Sequence, residues 1–143
     1  MDYVLDACAL ITLFNEEDGA DTVAELMALA SAGTDRLYMS SIQVMEVYYD
    51  RLYIKGAEYA ETVLESIYAS PITILHDITR DIIKVAARFK TSYSMSLADT
   101  FAAASAKSLC ATLVTKDNEM KEAEQAGEFT ILWLTSQPYP PAK

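Results

Sequence analysis

Residues 3–14 read Tyr-Val-Leu-Asp-Ala-Cys-Ala-Leu-Ile-Thr-Leu-Phe, and they indicate the architecture that we expect for the whole chain. Residues 3–6 form a short apolar run that ends on Asp6, which is typical of a buried strand. The apolar pattern of residues 9–14 favours a helix directly after it. A buried strand that leads into a helix is the repeating unit of parallel α/β folds.

The same unit recurs along the chain. We predict strands at residues 3–6, 36–39, 72–75, 111–114 and 129–133. We predict helices near residues 9–14, 20–32, 40–55, 58–69, 79–89, 96–109 and 119–126, with capping residues at Ser40, Thr79 and Ser96 and a capping box between Ser40 and Gln43. The alternation predicts an α/β fold with a parallel sheet of about five short strands and helices on both faces. We expect one domain over residues 1–135 and a proline-rich tail at 136–143.

The composition excludes several classes of protein. A chain of 143 residues that is 52% hydrophobic can bury the core of one domain, so we do not expect disorder. No stretch approaches the ~18 apolar residues of a membrane span, and the first residues lack a basic signal region. We therefore expect a soluble cytoplasmic protein. The 21 acidic and 11 basic residues give a formal charge of −10, which argues against a broad, sequence-independent grip on nucleic acid.

Common catalytic motifs are absent. None of the four glycines belongs to a phosphate-binding loop. Cys8 and Cys110 match no metal-binding spacing and lie in apolar runs, so we expect them to be small buried thiols rather than a disulfide. His76 is the only histidine, and no neighbouring residue suggests a catalytic triad with it.

Four acidic residues stand out from the rest because they lie in apolar surroundings. Asp6 ends the first predicted strand and Asp117 follows the fourth, so both lie at the carboxyl edge of the sheet, where open α/β folds bind ligands. Glu46 and Asp99 lie on helices that can begin near the same edge. Four converging carboxylates repel one another unless a cation neutralises them, and oxygen ligands of this kind suit Mg²⁺ or Mn²⁺.

Each of these acids also has a structural explanation. Asp6 and Asp117 precede helices and can act as N-caps. Asp99 lies three residues after Ser96 and can be the acidic half of a capping box. Glu46 lies inside its helix, where the alternative is an ion pair with Arg51 or Arg80.

The four acidic segments resemble the motifs of PIN-domain ribonucleases, and among these the VapC-type toxins of toxin–antitoxin modules. The resemblance spans residues 2–134 and is carried by Val-Leu-Asp6-Ala-Cys, Gln-Val-Met-Glu46-Val, Ser-Leu-Ala-Asp99-Thr and Leu-Val-Thr-Lys-Asp117-Asn. It implies an α/β/α sandwich that cleaves RNA with Mg²⁺ or Mn²⁺. This sequence departs from the pattern after Asp6, where Ala7-Cys8 replaces the usual hydroxyl residue, and after Asn118, where Glu119-Met120 replaces an acidic-aromatic pair. We therefore expect that a hydroxyl near Asp6 is missing.

The residues are assigned roles on this basis. Asp6, Asp99 and Asp117, with Glu46 directly or through water, are expected to hold one or two divalent ions that promote attack by water on a phosphodiester. Thr115 and Asn118 are expected to orient ligands or water.

Surface residues suggest partners. The basic stripe of Arg80, Lys84 and Arg88 recurs every four residues and can contact RNA, although a solvated helix face is an equal alternative. Five tyrosines on two consecutive helices suggest a protein interface: Tyr48, Tyr49, Tyr53, Tyr59 and Tyr68. The resemblance implies two occupants for such a surface, a second copy in a homodimer and a cognate antitoxin. The alternative to a nuclease is a PIN-like binding or scaffold subunit that keeps its acids but does not cut RNA.

Overall fold

The computed structural model describes residues 1–135. The strands are β1 (Asp2–Leu5), β2 (Arg36–Ser40), β3 (Ile72–Leu75), β4 (Thr112–Thr115) and β5 (Ile131–Trp133). The helices are α1 (Ala7–Phe14), α2 (Ala20–Ser31), α3 (Ser41–Lys55), α4 (Ala57–Tyr68), α5 (Arg80–Ser92), α6 (Leu97–Ser108) and α7 (Lys121–Gln125), with a 3₁₀ turn at Asn118–Met120. The tail predicted at 136–143 lies outside the described residues. Within residues 1–135, no helix combines the length and the apolar character needed to cross a membrane.

The five strands form one parallel sheet in the order β3-β2-β1-β4-β5. β1 is central, and its Val4 pairs with Tyr38 on β2 and with Leu113 on β4. The chain builds outward from β1 to β2 and β3 on one side, and returns to place β4 on the other side. A crevice therefore opens beside the carboxyl ends of β1 and β4, where the strand order changes direction.

Helices cover both faces of the sheet, because successive strand residues point to opposite sides. Leu5 and Val114 pack in a core with apolar residues of α1 to α4. Their neighbours Val4 and Leu113 pack in a second core with residues of α5, α6 and α7. The predicted α/β architecture with a parallel five-stranded sheet is confirmed, and its layers form an α/β/α sandwich.

α6 lies close to the sheet because small residues face it. Ala102, Ala103 and Ala106 have no exposed surface, and they pack in the second core with Val4 and Leu113. Close approach of this helix brings its first turn, and with it Asp99, to the edge where β1 and β4 end.

The observed helix ends correct one capping prediction. Ser40, Thr79 and Ser96 are N-caps, as predicted. The capping box at Ser40 is wrong, because the Ser40 hydroxyl accepts from the Ile42 amide and the Gln43 side chain bonds elsewhere. Helix and strand bounds otherwise differ from the prediction by a few residues, as when α5 continues to Ser92 and β5 begins at Ile131.

Candidate metal centre

The topology brings the four predicted acids to one edge of the sheet. Asp6 directly follows β1 and is the N-cap of α1. Asp117 lies two residues beyond the end of β4, the neighbour of β1. Asp99 lies in the first turn of α6, and Glu46 lies in the second turn of α3. Two strand ends and two helix starts therefore face one crevice.

Three of these carboxylates form a compact cluster. One carboxylate oxygen from each of Asp6, Asp99 and Asp117 lies within 4.8 Å of the others. Asp6 is 2% exposed and Asp99 is 5% exposed, so little water reaches them. Glu46 lines the same cavity, which has a volume of about 150 Å³ and also includes Asp50. This arrangement of oxygen donors suits a divalent cation.

Glu46 forms neither of its predicted ion pairs, because Arg80 forms no ion pair among residues 1–135 and Arg51 is bound to other partners. The Arg51 guanidinium bonds to Asp50 and to Asn15 rather than to Glu46. Oε1 of Glu46 is buried and has no hydrogen-bond partner within residues 1–135. A buried carboxylate oxygen without a partner is costly, so a cation at this place would compensate it.

The pKa values of the cluster show how strongly the carboxylates are perturbed. Burial and the charge of Asp117 raise the pKa of Asp6 to about 6. Burial and then the charge of Asp6 raise the pKa of Glu46 to about 7 and that of Asp99 to about 10. Without a cation the cluster therefore retains protons at neutral pH, because the buried charges cannot all coexist.

Asp6 is held by donors on both of its oxygens. The Ala7 amide donates to Oδ1 at 2.7 Å, which is the capping contact that the sequence suggested. The Thr115 hydroxyl donates to Oδ2 at 2.8 Å. The expectation that no hydroxyl lies near Asp6 is wrong, because the parallel pairing of Leu5 with Val114 places Thr115 beside it.

Cys8 is a site residue that the sequence analysis missed. Its sulfur lies 3.3 Å from Thr115 Oγ1 and 3.6 Å from Asp6 Oδ2, and it accepts from the Lys116 amide. Burial and the charge of Asp6 raise the pKa of this thiol well above its usual range. Cys110, expected to be buried, is exposed. The position of Cys8 two residues after a strand-end acid was the available signal.

Glu119 is the second residue that was missed. The Ser96 hydroxyl accepts from the Asp99 amide as a cap, but the Ser96 amide donates to Glu119 Oε2 at 3.2 Å. The acidic half of this cap is therefore Glu119, and the capping-box explanation for the Asp99 carboxylate is wrong. Contact with Glu119 also contributes to the raised pKa of Asp99.

Asp117 is both an N-cap and a member of the carboxylate cluster. Its Oδ1 accepts from the Glu119 amide at 2.9 Å, which caps the 3₁₀ turn. Its own amide donates to Thr115 Oγ1 at 2.9 Å. The N-cap explanation and membership of the cluster are therefore compatible for this residue.

The remaining predicted site residues lie outside this cavity. Asn118 is exposed and lines a separate depression with Ser94 and Glu119. In the basic stripe, Arg88 forms two hydrogen bonds with Glu128, at 2.7 and 2.9 Å. Arg80 and Lys84 are exposed and form no ion pair within the described part of the chain.

Of the five tyrosines predicted to form an interface, three are largely exposed and two contact other side chains. Tyr49 and Tyr68 are each 54% exposed and Tyr53 is 91% exposed. Tyr48 donates to Glu61, and Tyr59 packs beneath Lys55 at the end of α3. Tyr49 also lines the acidic cavity, so an aromatic surface adjoins the carboxylates.

Solved structures with the same fold include toxin–antitoxin proteins. The chain aligns with one from the VapBC2 complex of Rickettsia felis at 21% identity and a TM-score of 0.71, covering 92% of this chain and 98% of that one. It aligns with VapBC-1 of Haemophilus influenzae at 21% identity and 0.69, covering 94% and 98%. It aligns with VapC20 of Mycobacterium tuberculosis, described as a Sarcin-Ricin loop cleaving toxin, at 16% identity and 0.66, covering 85% and 94%.

Sequence comparison identifies the family. No curated protein sequence matches the chain. A sequence model described as the PIN domain matches residues 3–126, a range that contains all four acids of the site. This chain belongs to the PIN domain family.

Proposed function

We propose that this protein is a Mg²⁺- or Mn²⁺-dependent endoribonuclease and the toxin of a two-component toxin–antitoxin module in the cytoplasm. The observation that carries the proposal is the cluster of Asp6, Asp99 and Asp117 with the unpartnered Glu46 oxygen beside it. Buried carboxylates so close together repel one another, and the pKa values of Asp6, Glu46 and Asp99 are raised, so a cation is the simplest compensation.

The donor set fits a hard divalent ion. The contributing atoms are carboxylate oxygens, and the described part of the chain brings no histidine to the cavity. Asp6, Asp99 and Asp117 would hold the ion, with Glu46 binding directly or through water. When bound, such an ion acidifies water and offsets the charge that develops on a phosphodiester during cleavage.

Residues of the chain orient the Asp6 carboxylate and line the cavity beside it. The Thr115 hydroxyl and the Ala7 amide fix both oxygens of Asp6, so its carboxylate cannot rotate freely. Ile11 and Tyr49 line the cavity beside the acids. In the metal-free site burial raises the pKa of Glu46 to about 7, so cation binding there would release a proton at neutral pH.

RNA is the proposed substrate, and its binding is proposed to be local. The formal charge of −10 does not favour a wide phosphate-binding surface, so the metal ion and a few basic side chains would provide the contacts with RNA phosphates. Arg80 and Lys84 are the members of the basic stripe without an ion pair among residues 1–135. VapC20, which has a related fold, is described as a Sarcin-Ricin loop cleaving toxin, and this agrees with an RNA substrate.

A cognate antitoxin and a second copy of this chain are the proposed protein partners. The structure from Klebsiella pneumoniae with this fold is a toxin–antitoxin complex. Exposed Tyr49, Tyr53 and Tyr68 provide aromatic surface suited to protein contacts. Size-exclusion chromatography at micromolar concentration tests the homodimer, and a strictly monomeric protein would contradict it.

Cleavage and metal binding are tested together. The wild-type protein, Asp6→Asn and Asp99→Asn are incubated with RNA and Mn²⁺, and the new 5′ ends are sequenced. We expect cleavage by the wild type only. Glu25→Gln, which removes one exposed acid from α2, is the control and should cut normally. Cleavage at the wild-type rate by either aspartate variant would overturn the site assignment.

Thermal melting separates the nuclease from a silent scaffold. At a Mn²⁺ concentration 100 times its Kd, binding stabilises the native state by about 2.7 kcal/mol. We expect this stabilisation in the wild type and its loss in Asp99→Asn. A wild-type melting temperature that Mn²⁺ does not change would favour the scaffold alternative.

A further inference from the structure

The side chain of Gln43 lies completely inside the protein, one helical turn before Glu46. It has no exposed surface, although its amide carries one acceptor oxygen and two N–H donors. An amide buried without partners is destabilising, so the contacts of Gln43 must account for its position.

Both ends of this amide bond to backbone groups next to cluster carboxylates. Oε1 accepts from the Ala7 amide at 3.3 Å, and Ala7 directly follows Asp6. The same N–H donates to Asp6 Oδ1 at 2.7 Å, so Asp6 and Gln43 share one donor. Nε2 donates to the Ala98 carbonyl at 2.6 Å, and Ala98 directly precedes Asp99.

These contacts join segments that are remote in sequence. Gln43 lies 36 residues from Ala7 and 55 residues from Ala98. Gln43 and Glu46 are three residues apart on α3 and therefore share a face of that helix. One side chain thus connects the three segments that carry Asp6, Glu46 and Asp99. The fourth segment is connected separately, by the Thr115 hydroxyl between Asp6 and Asp117.

We propose that Gln43 is a positioning residue of the metal centre, which sets the spacing of Asp6, Glu46 and Asp99; this role rests on the proposed function. Carboxylates that repel one another move apart unless their backbones are held. A displacement of about 1 Å at such a centre can lower the rate about 100-fold. Within residues 1–135 the Gln43 side chain hydrogen-bonds to backbone groups and not to the carboxylate of Glu46 or Asp99, so it acts through the backbone.

If Gln43 served only to fill the core, a substitution that keeps its volume would leave Mn²⁺ affinity unchanged, whereas a positioning role predicts a loss of affinity. In Gln43→Met the volume is kept, and the Ala7 amide retains its bond to Asp6. The Ala98 carbonyl lies within α6, where the helix supplies a donor of its own. The variant should therefore fold, while the link between the three segments is lost.

The test measures Mn²⁺ affinity by isothermal titration calorimetry for the wild type and Gln43→Met. We expect roughly 10- to 100-fold weaker binding by the variant, as for other groups that orient metal ligands. With RNA, kcat should fall while KM stays unchanged. Ser105→Ala is the matched control, because Ser105 is a buried polar residue of α6 that bonds only within its helix, and its Mn²⁺ affinity should not change.

The outcomes distinguish this inference from the proposed function. Wild-type affinity in a folded Gln43→Met would overturn the positioning role and leave the metal centre intact. Absence of Mn²⁺ binding by the wild type would overturn the proposed metal centre and this role with it. If Gln43→Met does not fold, Gln43→Asn is measured instead. Its amide is one methylene shorter and reaches at most one of the two backbone groups, so the same weakening is expected.

Discussion

The hydroxyl of Thr115 donates to Asp6 Oδ2 at 2.8 Å and connects two acidic segments that lie 109 residues apart. The same oxygen accepts from the Asp117 amide at 2.9 Å. Thr115 is fully buried at the end of β4, beside the strand that leads to Asp6. The alignment of two of the proposed metal ligands therefore depends on one hydroxyl group.

Replacement of this hydroxyl should weaken both metal binding and the stability of the fold. In Thr115→Val the shape is kept, but Asp6 loses a donor and the Asp117 amide loses its acceptor. We expect a loss of about 1 to 3 kcal/mol in the free energy of unfolding, and Mn²⁺ affinity about 10- to 100-fold lower. Urea denaturation and calorimetry measure the two effects.

A second threonine of β4 provides the control. Thr112→Val removes a hydroxyl that contacts only the Thr130 hydroxyl, at the opposite end of the strand. Mn²⁺ affinity should be unchanged in this variant. Equal losses of affinity in the two variants would show that the Thr115 contact has no special role.

The metal-free protein should lose stability as the pH rises from 4 toward neutrality. The pKa values of Asp6, Glu46 and Asp99 are raised in the folded state, to about 6, 7 and 10, from usual values of 3.8, 4.5 and 3.8. The folded state therefore binds more protons than the unfolded state in this range. Their stabilising contribution is complete below about pH 4 and is lost as the pH passes through the folded-state values. Urea denaturation in EDTA at several pH values measures it.

Two comparisons sharpen this pH dependence. Mn²⁺ binding requires deprotonated carboxylates, so the increase in melting temperature caused by Mn²⁺ should grow with pH. Asp99→Asn should show a weaker loss of stability above about pH 8, where Asp6 and Glu46 are already ionised and the Asp99 carboxyl still titrates. Glu128 acts in the opposite sense, since Arg88 lowers its pKa from 4.5 to about 2 and its contribution is lost as the pH falls between these two values. Constant stability from pH 4 to 8 would contradict the raised pKa values.

The basic stripe should divide into two functional parts. Arg88 forms an ion pair with Glu128, which also pairs with Lys107. Lys107 lies eight residues after Asp99 on α6, so this group of charges is about 12 Å from Asp99 along the helix. Arg88→Ala should therefore lower the stability of the fold more than RNA affinity. Arg80→Ala with Lys84→Ala should weaken RNA binding and reduce the salt dependence by about 0.7 per phosphate contact.

Fluorescence anisotropy with a labelled RNA at several salt concentrations measures these slopes. An unchanged slope in the double variant would mean that Arg80 and Lys84 are a solvated helix face. A reduced slope in Arg88→Ala would mean that this residue leaves Glu128 to bind RNA.

The two thiols should react at different rates. Cys110 is exposed, whereas Cys8 is partly buried and its thiol pKa is raised by burial and by Asp6. Because the thiolate is the reactive form, iodoacetamide should modify Cys110 first and Cys8 slowly. Mass spectrometry of the alkylated protein follows both sites, and Cys110→Ser should remove the fast phase. Rapid modification of both thiols would be inconsistent with the contacts of Cys8.

Much of the fold could be predicted because the evidence for it is local. Five apolar runs with intervening helical patterns were enough to predict the parallel sheet, and Ser40, Thr79 and Ser96 were recognised as caps. The capping box of Gln43 was predicted wrongly because spacing alone does not show where an amide points. Inside the folded protein this amide finds better partners on α1 and α6.

The sequence by itself determined which acids are exceptional, because a carboxylate inside an apolar run requires a partner wherever the chain folds. It also determined the succession of strands and helices along the chain, since hydrophobic periodicity depends on near neighbours. The sequence also predicted that Thr115 orients ligands, but only the tertiary structure decided which groups each polar side chain contacts. Thr115 reaches Asp6 because β4 pairs with β1, Glu119 caps the segment before Asp99, and Arg88 is held by Glu128. Such contacts depend on strand order and helix placement, which bring together residues 23 to 109 positions apart and leave no periodic pattern in the sequence.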